Sequence, residues 1–342
     1  MNNPKKAVLL INLGTPDSPE VPAVRRYLRQ FLSDPRVLDS HPLIRALVLN
    51  LFILPFRPQK SAVAYRQIWT SRGSPLLFHT SDLTEKVREQ MGPNCTVDFA
   101  MRYGNPSIPS RLEALCRSGH TEIVIFPLYP QYASSSTGSS LEVVHRFFED
   151  RWNVPAIKVV PPFYSDPGYI SAFANNALPL IEKEKPEHFL FSYHGLPERH
   201  ITKSECEQGF CLKQNDSCCS RISSSNAFCY KAQCYETTRL ITTQLGLSEG
   251  SFTTSFQSRL GRTPWIKPYT DEMLVGLAKK GVKKLLVLSP AFTADCLETL
   301  EELQLRAKED FIKAGGDWLG LVPSLNSSEA WVDSVVRLAN GA

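Results

Sequence analysis

The sequence lacks the long apolar run that a membrane-crossing helix needs; no stretch reaches about 18 consecutive apolar residues. It has no block of lysine and arginine, and its formal net charge is only +4, which argues against a nucleic-acid partner. Three common catalytic and nucleotide signatures are missing too. There is no GxxxxGK[ST] phosphate loop, no GxGxxG after the first apolar run and no GxSxG elbow. The apolar run near the N-terminus, 7–11, is too short for a secretory core, and no small-residue cleavage site follows it. It reads as a first strand, and the expected compartment is the cytoplasm. Disorder is excluded by composition: 42% of the 342 residues are hydrophobic and 21% charged, as in ordinary globular chains.

Cysteine is what the chain has in excess. There are nine, and six fall at Cys206, Cys211, Cys218, Cys219, Cys229 and Cys234. In a reducing compartment such a cluster is more compatible with a metal site than with disulfides. Zinc favours paired C-x₂₋₄-C knuckles, and only Cys229 and Cys234 approach that spacing. An iron–sulfur cluster on four thiolates fits at least as well.

Short β-branched runs alternate with helical stretches. Strands are expected at 7–13, 96–101, 122–128, 156–160, 188–194, 252–257, 284–289 and 318–321. Helices are expected at 21–32, 81–90, 141–148, 169–182, 235–245, 270–279 and 298–314. This βαβα order predicts an α/β fold with parallel sheets covered on both faces. The strands form two sets of four with similar ends. The first strand ends in LGTP and the fifth in HGLP; the second is followed by RYGNP and the sixth by RLGRTP; the third and seventh end at proline. Two similar Rossmann-like, doubly wound domains are therefore expected, with an active-site cleft between them. The boundaries are 1–160, 161–325 carrying a cysteine-rich insert at 204–234, and a terminal helix at 326–342 that packs back on the first domain. Ligands of such sheets bind beyond the carboxyl ends of the strands.

Those strand ends hold the candidates for chemistry. His194 closes the fifth strand and could bind a metal or accept a proton near neutral pH. Asp295, Glu298 and Glu302 stand at i, i+3 and i+7 after the seventh strand, one carboxylate stripe if the segment is helical. Such a stripe suits passage of a divalent cation or removal of protons. The hydroxyl-rich LYPQYASSSTGSS before a helix can donate hydrogen bonds to a carboxylate or a phosphate. The segment 41–58, HPLIRALVLNLFILPFRP, is apolar nearly all round with basic residues after it. It is either a buried helix or an exposed lip that meets a membrane or a large apolar ligand.

Together SYHGLPER, FPLYPQYASSSTGSSLE, SFQSRLGRTPWIKPYTDE and FTADCLETLEEL, in that order and at compatible spacing, resemble ferrochelatases over nearly the whole chain. The resemblance implies insertion of Fe²⁺ into protoporphyrin IX with release of two protons, forming protohaem. It implies His194 as catalytic base and metal-facing residue, Glu298 as the essential glutamate, and Asp295 and Glu302 as the rest of an acidic metal path. It places Leu13, Arg102, Tyr103, Tyr129 and Ser135 on one porphyrin wall and Gln257 and Trp265 on the other. The segment 41–58 becomes the active-site lip, touching the inner face of the cell membrane peripherally. Cys296 stands where some relatives carry histidine. The insert is about 22 residues longer than in most relatives and resembles the minority that bind a 2Fe–2S cluster. Its expected ligands are Cys211, Cys218, Cys219 and Cys229, with Cys234 and then Cys206 in reserve. Chelation into a related tetrapyrrole such as coproporphyrin, and a non-catalytic porphyrin-binding sensor, stay open as alternatives. Oligomeric state is not specified.

Overall fold

The computed structural model describes residues 5–204, 211, 217–259, 261 and 263–342. The chain divides into two compact units. The first comprises Met1–Tyr129, Ser134–Pro161 and Asn326–Ala342; the second comprises Pro130–Ala133 and Pro162–Leu325.

In the first unit, β1 (Lys6–Gly14), β2 (Cys95–Tyr103), β3 (Glu122–Pro127) and β4 (Ala156–Val159) form a parallel sheet in the order β2-β1-β3-β4. The central strand is apolar at every position from Ala7 to Ile11 and wholly buried there, as a parallel strand covered on both faces must be. Leu9, Ile11, Ala100 and Ile125 of the sheet meet Ile108 and Leu112 of the helix Ile108–Arg117 and Val144 of the helix Ser139–Phe148. Ser107 caps the first of these helices by accepting from the Ser110 N–H at 3.3 Å. The helix Glu329–Gly341 belongs to this unit as well. Gln90 donates to Asp333 at 2.8 Å and Lys6 to the Ala339 carbonyl at 3.2 Å.

The second unit repeats the plan. β5 (His188–His194), β6 (Phe252–Gln257), β7 (Lys284–Leu288) and β8 (Trp318–Leu321) are parallel in the order β6-β5-β7-β8. Leu190, Leu285, Val287 and Leu319 pack with Leu274, Leu303 and Phe311.

Two expected helices differ in winding. The stretch expected as one helix over 298–314 is a π-helix over Glu298–Ala307 followed by an α-helix over Lys308–Lys313. The apolar segment is an α-helix over Pro42–Val48 continued by a π-turn over Leu49–Ile53. It is not buried: Leu43 is 75% exposed and Phe52 65%, while Leu49 and Leu54 are the side chains turned inward. Among the described residues, no helix is long and apolar enough to cross a membrane.

Candidate active site

In the second unit, the sheet register sets His194 opposite Gln257. The next residue, Gly195, donates its N–H to the Gln257 carbonyl at 2.7 Å. A Cβ on Gly195 would lie 2.8 Å from that oxygen and 3.3 Å from the Trp265 ring, so the approach demands glycine. Trp265 is held in turn by an antiparallel bridge to Pro197 and by the Ile266 N–H on the Leu196 carbonyl at 3.0 Å. Nδ1 of His194 lies 2.7 Å from the Gly195 carbonyl oxygen. A carbonyl only accepts, so Nδ1 carries the proton in the neutral ring and Nε2 keeps its lone pair. Phe292 stands edge-on to the imidazole at 6.4 Å, and the Tyr230 hydroxyl donates to the His194 carbonyl at 2.9 Å.

Gln257 joins this strand end to the acidic helix. Its side-chain oxygen accepts from Ser192 at 2.7 Å, and its amide donates to the Glu298 backbone carbonyl at 3.0 Å. Glu298 and Glu302 are half-buried, four residues apart on the π-helix. Residues at that spacing share one face of a helix, so the two carboxylates stand one above the other. The Glu298 carboxylate meets the buried Cys296 thiol; burial first and then that carboxylate push the thiol's pKa well up. Asp295 lies just before the helix, buried, accepting from Thr299 at 3.2 Å and from the Ser324 N–H at 3.3 Å. Glu302 accepts from the Ser258 N–H at 3.1 Å and from the Ser258 hydroxyl. Among the described residues, no three His, Cys, Asp or Glu side chains are arranged to hold a metal ion. The carboxylates stand in file along one helix and do not form a cage.

The first unit's candidates fall into two groups. Leu13, Tyr129 and Ser135 are half-buried. Burial pushes the Tyr129 hydroxyl well above its ordinary value, so it acts as a neutral donor. Ser135 lies on a π-turn over Ser134–Gly138. Arg102 and Tyr103 instead spend their polar atoms inward, on Asp34. Arg102 bonds Asp34 at 2.6 Å, the Tyr103 hydroxyl donates to it at 2.8 Å and the Ser139 hydroxyl at 2.5 Å. The Arg36 N–H takes its other oxygen at 2.7 Å. Tyr103 has no exposed surface. Burial alone would raise the Asp34 pKa. The hydrogen bonds from Ser139, the Arg36 N–H and Tyr103, with the Arg102 charge, bring it below the ordinary carboxylate value.

The cysteines form a third cluster. Cys211, Cys218, Cys219, Cys229 and Cys234 are all buried and none is in a disulfide; Cys206 lies outside the described residues. A 3₁₀ turn over Ser217–Cys219 brings the sulfurs of adjacent Cys218 and Cys219 to 3.8 Å. Two thiolates on one tetrahedral metal stand about that far apart, given metal–sulfur bonds of about 2.3 Å. Cys229 precedes the helix Tyr230–Gln244. The Cys219 thiol, opposed by burial and aided by the N–H of Ala232 and by Cys211, pulls the Cys229 thiol below its ordinary value. The donor types and burial are those a thiolate site needs, although no three of the described sulfurs are gathered as ligands to one ion.

Sequence reasoning missed Ser258, Asp34 and Tyr230. Only Ser258 had a local signal, its place beside Gln257 at a strand end.

A family model described as ferrochelatase matches residues 5–342. A ferrochelatase of Coxiella burnetii (strain CbuK_Q154) is 48% identical over 338 residues, which is 99% of this chain and 94% of that protein. One from Legionella pneumophila (strain Lens) is 44% identical over 338 residues, 98% and 99% of the two chains. Among solved structures, SirB from Bacillus subtilis with Fe³⁺ superposes with a TM-score of 0.53 at 12% identity, over 98% of this chain and 94% of that one. At so low an identity the likeness concerns the fold alone.

Proposed function

The chain belongs to the ferrochelatase family and inserts iron into protoporphyrin to form haem, and we propose that His194 is the base that takes the pyrrole protons. The observation that carries this reading is the contact of Nδ1 with the Gly195 carbonyl at 2.7 Å. It fixes the tautomer and leaves Nε2 as the basic nitrogen. Two N–H protons must leave the porphyrin as Fe²⁺ enters. An imidazole with its lone pair on Nε2 can accept a proton there and pass it on.

Asp295, Glu298 and Glu302 form the file that receives Fe²⁺, since carboxylates suit hard divalent cations. Glu298 is the member joined through Gln257 to the strand that ends in His194. Leu13, Tyr129 and Ser135 are porphyrin contacts, with Arg102 and Tyr103 fixing their surroundings through Asp34. Gln257 and Trp265 are porphyrin contacts as well. A snug apolar wall can supply the bending that exposes the pyrrole lone pairs.

Two further assignments complete the reading. Cys211, Cys218, Cys219 and Cys229 hold a 2Fe–2S cluster, which when bound supplies a one-electron redox centre. The apolar face of residues 41–58, with Arg57 and Lys60 at its end, rests on the inner face of the cell membrane without crossing it. Flotation with anionic vesicles tests the second assignment: retention after Phe52→Asp would refute it.

The principal experiment is an anaerobic visible spectrum before and after adding protoporphyrin IX and Fe²⁺, for the native chain and for His194→Ala. Loss of metallation by about 10²-fold or more, with porphyrin still bound, is the expected result for a general base. Activity within tenfold of native would sink the role of His194. Absorption bleached by dithionite, absent from Cys229→Ser, is expected for the cluster, and a colourless native protein would refute it.

A further inference from the structure

Ser258 follows the last residue of β6 and has a φ of +66°, in the left-handed region. This backbone favours glycine over any side chain. The turn aims two donors of one residue at one carboxylate. The Ser258 N–H meets Glu302 Oε1 at 3.1 Å, and its hydroxyl meets Oε2. One position earlier, the Gln257 amide holds the Glu298 carbonyl at 3.0 Å. Consecutive residues at a strand end therefore grip the π-helix at two points four residues apart. Glycine would keep the N–H bond and relieve the backbone. The hydroxyl is what serine adds, and its acceptor is Oε2 of Glu302.

We propose that Ser258 is a positioning residue for metal delivery: it fixes the Glu302 carboxylate in a single orientation in line with Glu298, so that Fe²⁺ meets a preset acceptor. Both oxygens of an unheld glutamate would sweep several rotamers, and a metal would have to order the side chain on arrival. The clamp removes that cost in advance. Its hydroxyl is bonded to Glu302, so its effect is expected on metal capture. This inference rests on the reading that Glu302 belongs to the metal path.

The test compares Ser258→Gly, Ser258→Ala and Glu302→Gln in anaerobic initial-rate assays, varying Fe²⁺ at saturating protoporphyrin and then the reverse. Ser258→Gly is expected to raise the KM for Fe²⁺ about five- to tenfold, as loss of a hydrogen bond to a charged group would. Its KM for porphyrin and its melting temperature should not worsen. Ser258→Ala should show the same KM shift with a lower melting temperature, because alanine pays the left-handed cost. An unchanged KM for Fe²⁺ in Ser258→Gly, alongside a raised one in Glu302→Gln, would overturn the clamp and spare the metal path. An unchanged KM for Fe²⁺ in Glu302→Gln would overturn the metal path and the clamp with it. Equal shifts in both KM values for Ser258→Gly would also overturn the proposal, since they would mark a general structural role.

Discussion

The two units share a strand order and use their strand ends differently. In each, a glycine at or just past the end of the first strand touches the backbone of its neighbour: Gly14 against Tyr103, Gly195 against Gln257. In each, the second strand receives the turn that follows it, through the Met101 N–H on Pro106 at 2.7 Å and the Phe256 N–H on Pro268 at 2.8 Å. What lies beyond differs. In the first unit, Asp34, Arg102, Tyr103 and Ser139 satisfy one another in a buried network. In the second, His194 keeps a basic nitrogen and the acidic helix presents half-buried carboxylates. The imidazole separates the two: the first unit's network spends every member on Asp34, whereas His194 is bonded through Nδ1.

The largest expected effect sharpens the glycine pair. A Cβ on Gly14 would lie 1.7 Å from the Tyr103 oxygen, and the residue has a φ of +108°. Gly14→Ala should therefore cost upwards of about 5 kcal/mol and yield little folded protein in a denaturant titration. Next, Asp34→Ala strands Arg102 with no buried counter-charge. It should cost about 3–5 kcal/mol, with a matching fall in melting temperature. A cost below about 1 kcal/mol would show that the network is not the first unit's anchor. Gly195→Ala is milder in stability, about 1–3 kcal/mol. Because it moves the residue beside His194, it should lower kcat about tenfold to a hundredfold. Equal loss of stability at both glycines, with kcat intact at Gly195, would break the comparison.

The smallest effect concerns acid. The folded Asp34 titrates below its ordinary value of 3.8, so its stabilisation is fully present above that pH and is lost as pH falls through the folded value. Native protein should lose more stability than Asp34→Asn between about pH 5 and pH 2. Parallel stability curves for the two proteins would refute the assignment.

Much of the fold was legible in the chain. The strands ending in His194 and Gln257 and the helix Thr270–Lys279 match their expected bounds. Apolar runs bounded by glycine and proline leave little freedom in placing them. The helix Ile108–Arg117 escaped notice because Pro109 looks like a breaker when it stands in the first turn, where no N–H is needed. The π-winding at Glu298 was not legible, since acids at i, i+3 and i+7 suit an α-helix as well. Nor was the Asp34 network, whose partners lie 68 and 105 residues away. The side chains were readable as chemical types, but their partners are set by tertiary contacts that no local pattern carries.

The helix Glu329–Gly341 has a consequence for the order in which the protein is made. Its wholly buried Trp331 and Val335 belong to the first unit, yet a ribosome adds them after every strand of the second. The later sheet has all its strands before the earlier one has its last helix. The helix Pro75–Met91, against which this last helix packs, must therefore wait with that face uncovered while the rest of the chain emerges. That interval is where a nascent chain of this design is most exposed to aggregation or to chaperone capture.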